Sequence, residues 1–152
     1  MQTAAALTPE LMNTVRKAQI DEETGAVLYA YMAKREKNPE NRRLLEQMAR
    51  DEAMHAAVWK NVTREELRPK RVMIVWRKLL TVVMGFTFVV KRMQRDEQLT
   101  QQSYSRLRER LAQAAALLED ERSHEKTLYG MLDEERLHYV GAMVLGLNDA
   151  LV

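Results

Sequence analysis

The sequence predicts an all-α protein, a four-helix bundle with one long basic connection between its two hairpins. Three observations lead there. Among 152 residues only five are Gly and three are Pro, while 46% are hydrophobic and 30% charged, a makeup of helices rather than turn-rich sheets. Apolar residues recur at helical spacing through four long segments. From Arg71 to Val152 there is no proline, so long helices are permitted throughout that half. A chain of this length makes one domain and buries roughly 70% of its unfolded surface.

Each element follows from local signals. Thr8-Pro9-Glu10 starts a first helix, with Thr as cap and Pro in the first turn. It runs from about Pro9 to Lys37 and carries Leu11, Val15, Ala18, Val27, Leu28, Tyr31 and Met32. Asn38 then caps a second helix from about Pro39 to Asn61, bearing Leu44, Leu45, Met48, Ala49, Ala53, Ala56 and Trp59. Thr63-Arg64-Glu65-Glu66 has the pattern of a capping box opening a short turn before Pro69. A segment from about Val72 to Val83 follows, with a break at Gly85 and a third core helix from about Phe86 to Arg110. The fourth runs from about Ala112 to Leu137 and onward toward Leu145.

Composition also excludes. Without cysteine there is no disulfide scaffold, thiolate zinc site, iron–sulfur cluster or rubredoxin module, so any metal is held by carboxylate and imidazole. The net charge of +2 is unevenly spread. Between Arg64 and Arg95 nine Lys/Arg face only Glu65 and Glu66, a net of +7, and the remainder carries −5. Such a stretch suits an anionic partner or serves as a solvated helix rim. The start lacks a basic region before an apolar run, so no signal peptide is expected. The strongest apolar run, Leu79 to Val90, has twelve residues, too few to span a bilayer.

All three histidines follow a glutamate at the third position: Glu52-x-x-His55, Glu121-x-x-His124 and Glu135-x-x-His138. Residues i and i+3 are neighbours on a helix face, so each pair can offer a carboxylate and an imidazole to one ion. A second regularity is a Glu with a Tyr seven residues on, Glu22…Tyr29 and Glu97…Tyr104, two turns apart on one face. The order Glu–Tyr helix, Glu-x-x-His helix thus occurs twice, consistent with two hairpins related by a pseudo-two-fold. Glu22, Glu52, Glu97 and Glu121 with His55 and His124 make the ligand set of ferritin-like di-iron and di-manganese bundles. Four carboxylates nearly neutralise two divalent cations, and hard oxygen with imidazole suits iron or manganese.

The segments QIDEETGAVLYAYMA (19–33), RDEAMHAAVWK (50–60), FTFVVKRMQRDEQLTQQSY (86–104) and EDERSHEKTL (119–128) resemble the rubrerythrin-like, or erythrin, branch of the ferritin-like family. The tail DEERLHYVGAMVLGLNDALV (133–152) resembles the junction where such a domain enters a transporter of the vacuolar iron transporter family. The resemblance implies a di-iron domain over residues 1–140 and, over 141–152, a junction and the start of a first transmembrane helix. It implies two iron ions, with manganese as the alternative metal, and oxidation of Fe²⁺ by O₂ or peroxide (a ferroxidase activity) or sensing of iron for export and oxidative-stress protection. The place implied is the cytoplasmic side of the inner membrane, the 152-residue piece itself being soluble.

Relatives often carry a further carboxylate three residues before the third helix's glutamate. That position is Gln94, a neutral amide and at most a weak ligand, so six ligands are expected rather than seven. Glu52 and Glu121 are expected to bridge, Glu22 and Glu97 to be terminal, and His55 and His124 to serve one ion each. Tyr29 and Tyr104 are expected to donate to site carboxylates. On a continuous helix His138 lies about 21 Å beyond His124, so Glu135 and His138 belong to an accessory site or a charged junction. Met32, Met48, Met84 and Met93, with Trp59 and Trp76, are expected to pack the core. A homodimer, with helices exchanged between subunits, would cover the apolar run, and the basic stretch would lie near the inner leaflet. Two other readings stand beside this one: a rubrerythrin-like peroxidase, which would need an electron donor other than rubredoxin, and a metal-free helical adaptor for anionic lipid or nucleic acid. No specific nucleic-acid partner is expected.

Overall fold

A computed structural model describes residues 7–150; the side chains of residues 134–136, 138–139 and 143–150 lie outside the description. The described chain is all-α, with helices α1 (Pro9–Arg35), α2 (Pro39–Thr63), α3 (Arg71–Met84), α4 (Phe86–Leu107) and α5 (Ala112–Ala150). Local chemistry sets the ends. Thr8 Oγ1 accepts from the Leu11 amide at 3.3 Å, and Asn38 Oδ1 accepts from the Glu40 and Asn41 amides at 2.9 and 3.3 Å. Each cap stabilises its helix by about 1 kcal/mol. Gly85 separates α3 from α4 at φ 88° and ψ 168°, a conformation that a side chain would strain.

α1 pairs with α2 and α4 with α5, as two hairpins; contacts between α1 and α4 and between α2 and α5 close the bundle. Two apolar clusters fill it. One holds Leu28, Met32, Leu45, Met48, Val90 and Leu128; the other holds Val15, Trp59, Leu107, Leu117 and Leu118. Buried charge sits in the same interior, as described below.

The connection departs from expectation in two ways. Thr63 is the last residue of α2 rather than the opening of a turn: its hydroxyl donates to Gln19 Oε1 at 2.6 Å and accepts from the Glu65 amide. Residues 64–70 form no helix. The second departure is α3 itself, which packs on α1 and α4 through Ile74, Arg77 and Thr81. Its opposite face, Val72, Val75, Trp76, Leu79, Val82 and Val83, points outward. Trp76 (57% exposed) and Met84 (54%) are therefore surface residues, not core. Periodicity located the stripe, but Arg77 was drawn inward by an acid on α4. Met32, Met48, Met93 and Trp59 are buried as expected.

Candidate metal centre

Each bundle helix contributes one buried glutamate: Glu22 from α1, Glu52 from α2, Glu97 from α4 and Glu121 from α5. His55 and His124, one turn on from Glu52 and Glu121, are buried with them. These six side chains form two overlapping groups, Glu22, Glu52, His55, Glu121 and Glu52, Glu97, Glu121, His124. Within each group one ligand atom per residue lies within 4.8 Å of the others. Glu52 and Glu121 belong to both groups; each group has its own histidine and its own further glutamate. Gln94, three residues before Glu97 on α4, is half-buried. The side chains of Glu135 and His138 lie outside the described residues.

The residues pair across the bundle with the symmetry of the repeat. Tyr29 donates to Glu97 Oε1 and Tyr104 donates to Glu22 Oε1. His55 Nδ1 faces Glu121 Oε1 at 3.1 Å, and His124 Nδ1 faces Glu52 Oε1 at 3.2 Å. The imidazole planes are stacked, with centroids 5.7 Å apart. The symmetry breaks four residues past each histidine. Trp59 Nε1 donates to the Tyr104 hydroxyl at 2.7 Å, whereas the matching position on α5 is Leu128.

Burial and mutual repulsion govern the electrostatics of the four carboxylates. Burial, and then the neighbouring carboxylates, push Glu22, Glu52 and Glu97 well above the usual carboxylate range. For Glu121 burial acts upward too, but hydrogen bonds with Glu97 and His55 and the two nearby imidazoles bring it below that range. Burial acts to lower His55 and His124, yet the close carboxylates of Glu121 and Glu52 raise both. Tyr29 is raised well above a normal phenol by burial and by the charge of Glu97. Burying so many carboxylates without partners is costly. Glu52 Oε1 and His124 Nδ1, though close, form no hydrogen bond in this geometry. Two buried atoms that face each other without a hydrogen bond, among oxygen and imidazole donors, fit a divalent iron or manganese ion between them.

Three contributors escaped sequence reasoning. Asp120 Oδ2 lies 3.2 Å from His55 Nε2, and Asp51 Oδ2 lies 3.4 Å from His124 Nε2, so each imidazole has a carboxylate behind it on the opposite helix. A signal existed: all four of these glutamates directly follow an aspartate, at 21, 51, 96 and 120, whereas Glu135 follows a glutamate. Gly25 is the third. A Cβ there would sit 2.4 Å from Glu52 Oε2, so the carboxylate occupies the notch left by the missing side chain. Its signal was an isolated glycine inside a helical pattern.

These features define a class, a helical bundle with a buried carboxylate–imidazole centre. A family model for rubrerythrin matches residues 13–143, and the chain belongs to that family. Membership implies non-haem iron binding, which the donor set fits. Comparisons with curated proteins and with solved structures returned no match.

Proposed function

We propose that the six buried side chains hold two iron ions, with Glu52 and Glu121 shared between them. Glu22 and His55 would complete one position, Glu97 and His124 the other. The observation that carries this reading is the pair of overlapping donor groups with those two glutamates in common. Iron held there supplies one-electron redox chemistry toward O₂ or peroxide, and oxidation of Fe²⁺ is the activity we assign. The chain's own part is to arrange and to neutralise. Tyr29 and Tyr104 hold Glu97 and Glu22 by hydrogen bonds, and Asp51 and Asp120 orient the imidazoles. The carboxylates are buried in the same interior as the two apolar clusters.

The wider role is also a proposal: an iron-handling domain at the cytoplasmic face of an iron transporter, supporting export. The resemblance of residues 133–152 to a transporter junction supports it, as does the +7 stretch. Among the described residues no helix is long and apolar enough to cross a membrane. A homodimer is supported by the outward apolar face of α3, formed by Val72, Val75, Trp76, Leu79, Val82 and Val83, which a second copy would cover.

Elemental analysis of purified protein, followed by anaerobic Fe²⁺ titration, tests the centre. Two irons per chain are expected, and replacing Glu52 and His55 together by Ala should abolish stoichiometric binding. A double variant that still holds two irons would overturn the assignment. Adding O₂ or peroxide to the loaded protein then compares the oxidants: peroxide turnover with an added reductant that far outpaces O₂-driven oxidation would replace the ferroxidase reading with a peroxidase.

A further inference from the structure

A cavity of about 260 Å³ lies between α1 and α4, and its floor includes Glu22, Glu52 and Glu97. Small side chains line its walls: Ala18 and Gly25 on α1, Thr100 and Ser103 on α4. Glu52, which lines the cavity, is buried and leaves Oε1 without a hydrogen bond. Asp21 on α1 and Asp96 on α4 line the cavity too, one acid from each wall. Both are held by bases of the connection that follows α2. Lys70 Nζ is 2.5 Å from Asp21 Oδ1, and Arg77 Nη2 is 2.5 Å from Asp96 Oδ2. The connection therefore straps the two walls together.

The two attachments differ in kind. Arg77 is 4% exposed, so its ion pair is a fixed part of the packing. The Lys70–Asp21 pair is about two-fifths exposed on the lysine side and one-third on the aspartate side. A pair so exposed holds by no more than about 1 kcal/mol and exchanges readily. The Lys70 amide is tied separately, donating to Thr24 Oγ1 at 3.0 Å, so the ammonium can leave while the backbone stays. The opposite side of the centre is built differently. There the two imidazoles are stacked, with Asp51 and Asp120 on their outer nitrogens.

We propose that the α1–α4 cleft is the route by which divalent cations reach the buried carboxylates, with Asp21 as the outer receiving group and Lys70 as the charge that holds it in check. The inference rests on the metal-binding reading above. A cation nearing the cleft displaces the Lys70 ammonium from Asp21, and the carboxylate so freed passes the ion one residue inward, to Glu22. Removing the lysine charge strengthens the local negative field and speeds association, whereas removing the aspartate charge does the opposite.

The test follows Co²⁺ uptake by metal-free protein in stopped flow, read from its visible absorption, with final occupancy measured separately. Lys70→Gln should take up Co²⁺ about threefold or more faster and Asp21→Asn about threefold or more slower, both reaching the wild-type occupancy. Thr100→Phe, which fills the cleft, should slow uptake as well. Glu40→Gln, an exposed position twelve residues before Glu52 on α2 and so about 18 Å from it along the axis, controls for loss of one negative charge. If Asp21→Asn and Lys70→Gln match wild type or this control, the route is wrong. A Thr100→Phe protein that misfolds leaves those two variants to decide. Wild-type protein that takes up no cobalt overturns the metal-binding reading and the route together; normal loading with unchanged variant rates overturns the route alone.

Discussion

Gly25 lies within α1, one turn past Glu22, and replacing it by Ala separates the stability of the bundle from the integrity of its centre. In a helix interior Ala is better than Gly by about 0.5–1 kcal/mol, so the backbone favours the change. The new methyl, however, would lie 2.4 Å from Glu52 Oε2, 3.1 Å from its Cδ and 3.4 Å from its Cγ. Restoring an ordinary contact moves the carboxylate by roughly 1 Å, twice the tolerance of about 0.5 Å for a preorganised site. Glu52 is a flexible side chain, so the chain still folds. It is also common to both donor groups, so both positions feel the shift. A loss of about 10–100-fold in affinity is expected, comparable with removing a ligand's outer partner. That is about 1.4–2.7 kcal/mol, or roughly 3–10 °C less thermal stabilisation by metal for a domain of this size. The assay is calorimetry of Gly25→Ala and wild type, metal-free and with Co²⁺ or anaerobic Fe²⁺. Metal-free variant should melt no lower than wild type, while its metal-induced rise shrinks. Unchanged affinity, or a metal-free variant that is severely destabilised, would refute the reasoning.

Three further outcomes follow from the same geometry. In the metal-free protein Glu22, Glu52 and Glu97 hold protons that the unfolded chain releases above its ordinary value of 4.5, so stability is fully present below that pH and is lost as pH rises through the raised values. His55 and His124, also raised, act in the same direction above about pH 6.5, whereas the lowered Glu121 matters only below 4.5, where its contribution is lost as pH falls. Thermal midpoints in chelator should therefore fall between about pH 5 and pH 8, and a rise over that range would contradict the account. Tyr104→Phe removes the partner of both Trp59 Nε1 and Glu22, and should destabilise the chain by about 1–3 kcal/mol in urea melts. Asp120→Asn removes the carboxylate behind His55 and should weaken metal binding about tenfold by competition titration, with little change in the metal-free melting point.

What was legible in the sequence was local. Thr8-Pro9, Asn38-Pro39 and Gly85 act on their own backbone within a turn, so the helix starts and the α3–α4 break were readable. Glu-x-x-His is likewise a one-turn relation, and its repetition marked the buried carboxylates. The capping pattern at Thr63 misled because Gln19, 44 residues away in sequence, engages that hydroxyl. The direction of α3 was equally hidden. Its stripe of Val, Leu and Trp reads the same whether it faces in or out, and the choice depends on Arg77 meeting Asp96 on another helix.

The sequence by itself determined the helices, the four glutamates and two histidines, and the face that each Glu shares with the His or Tyr of its own helix, because 3.6 residues per turn turns spacing into a common face. Only the tertiary structure decided which side chains meet across the bundle. Tyr29 reaches Glu97, Asp120 stands behind His55, Glu52 rests in the notch at Gly25, and Lys70 covers Asp21. Those contacts join residues 27 to 68 positions apart. They are set by how the helices pack, and no periodicity along one helix encodes the distance to another.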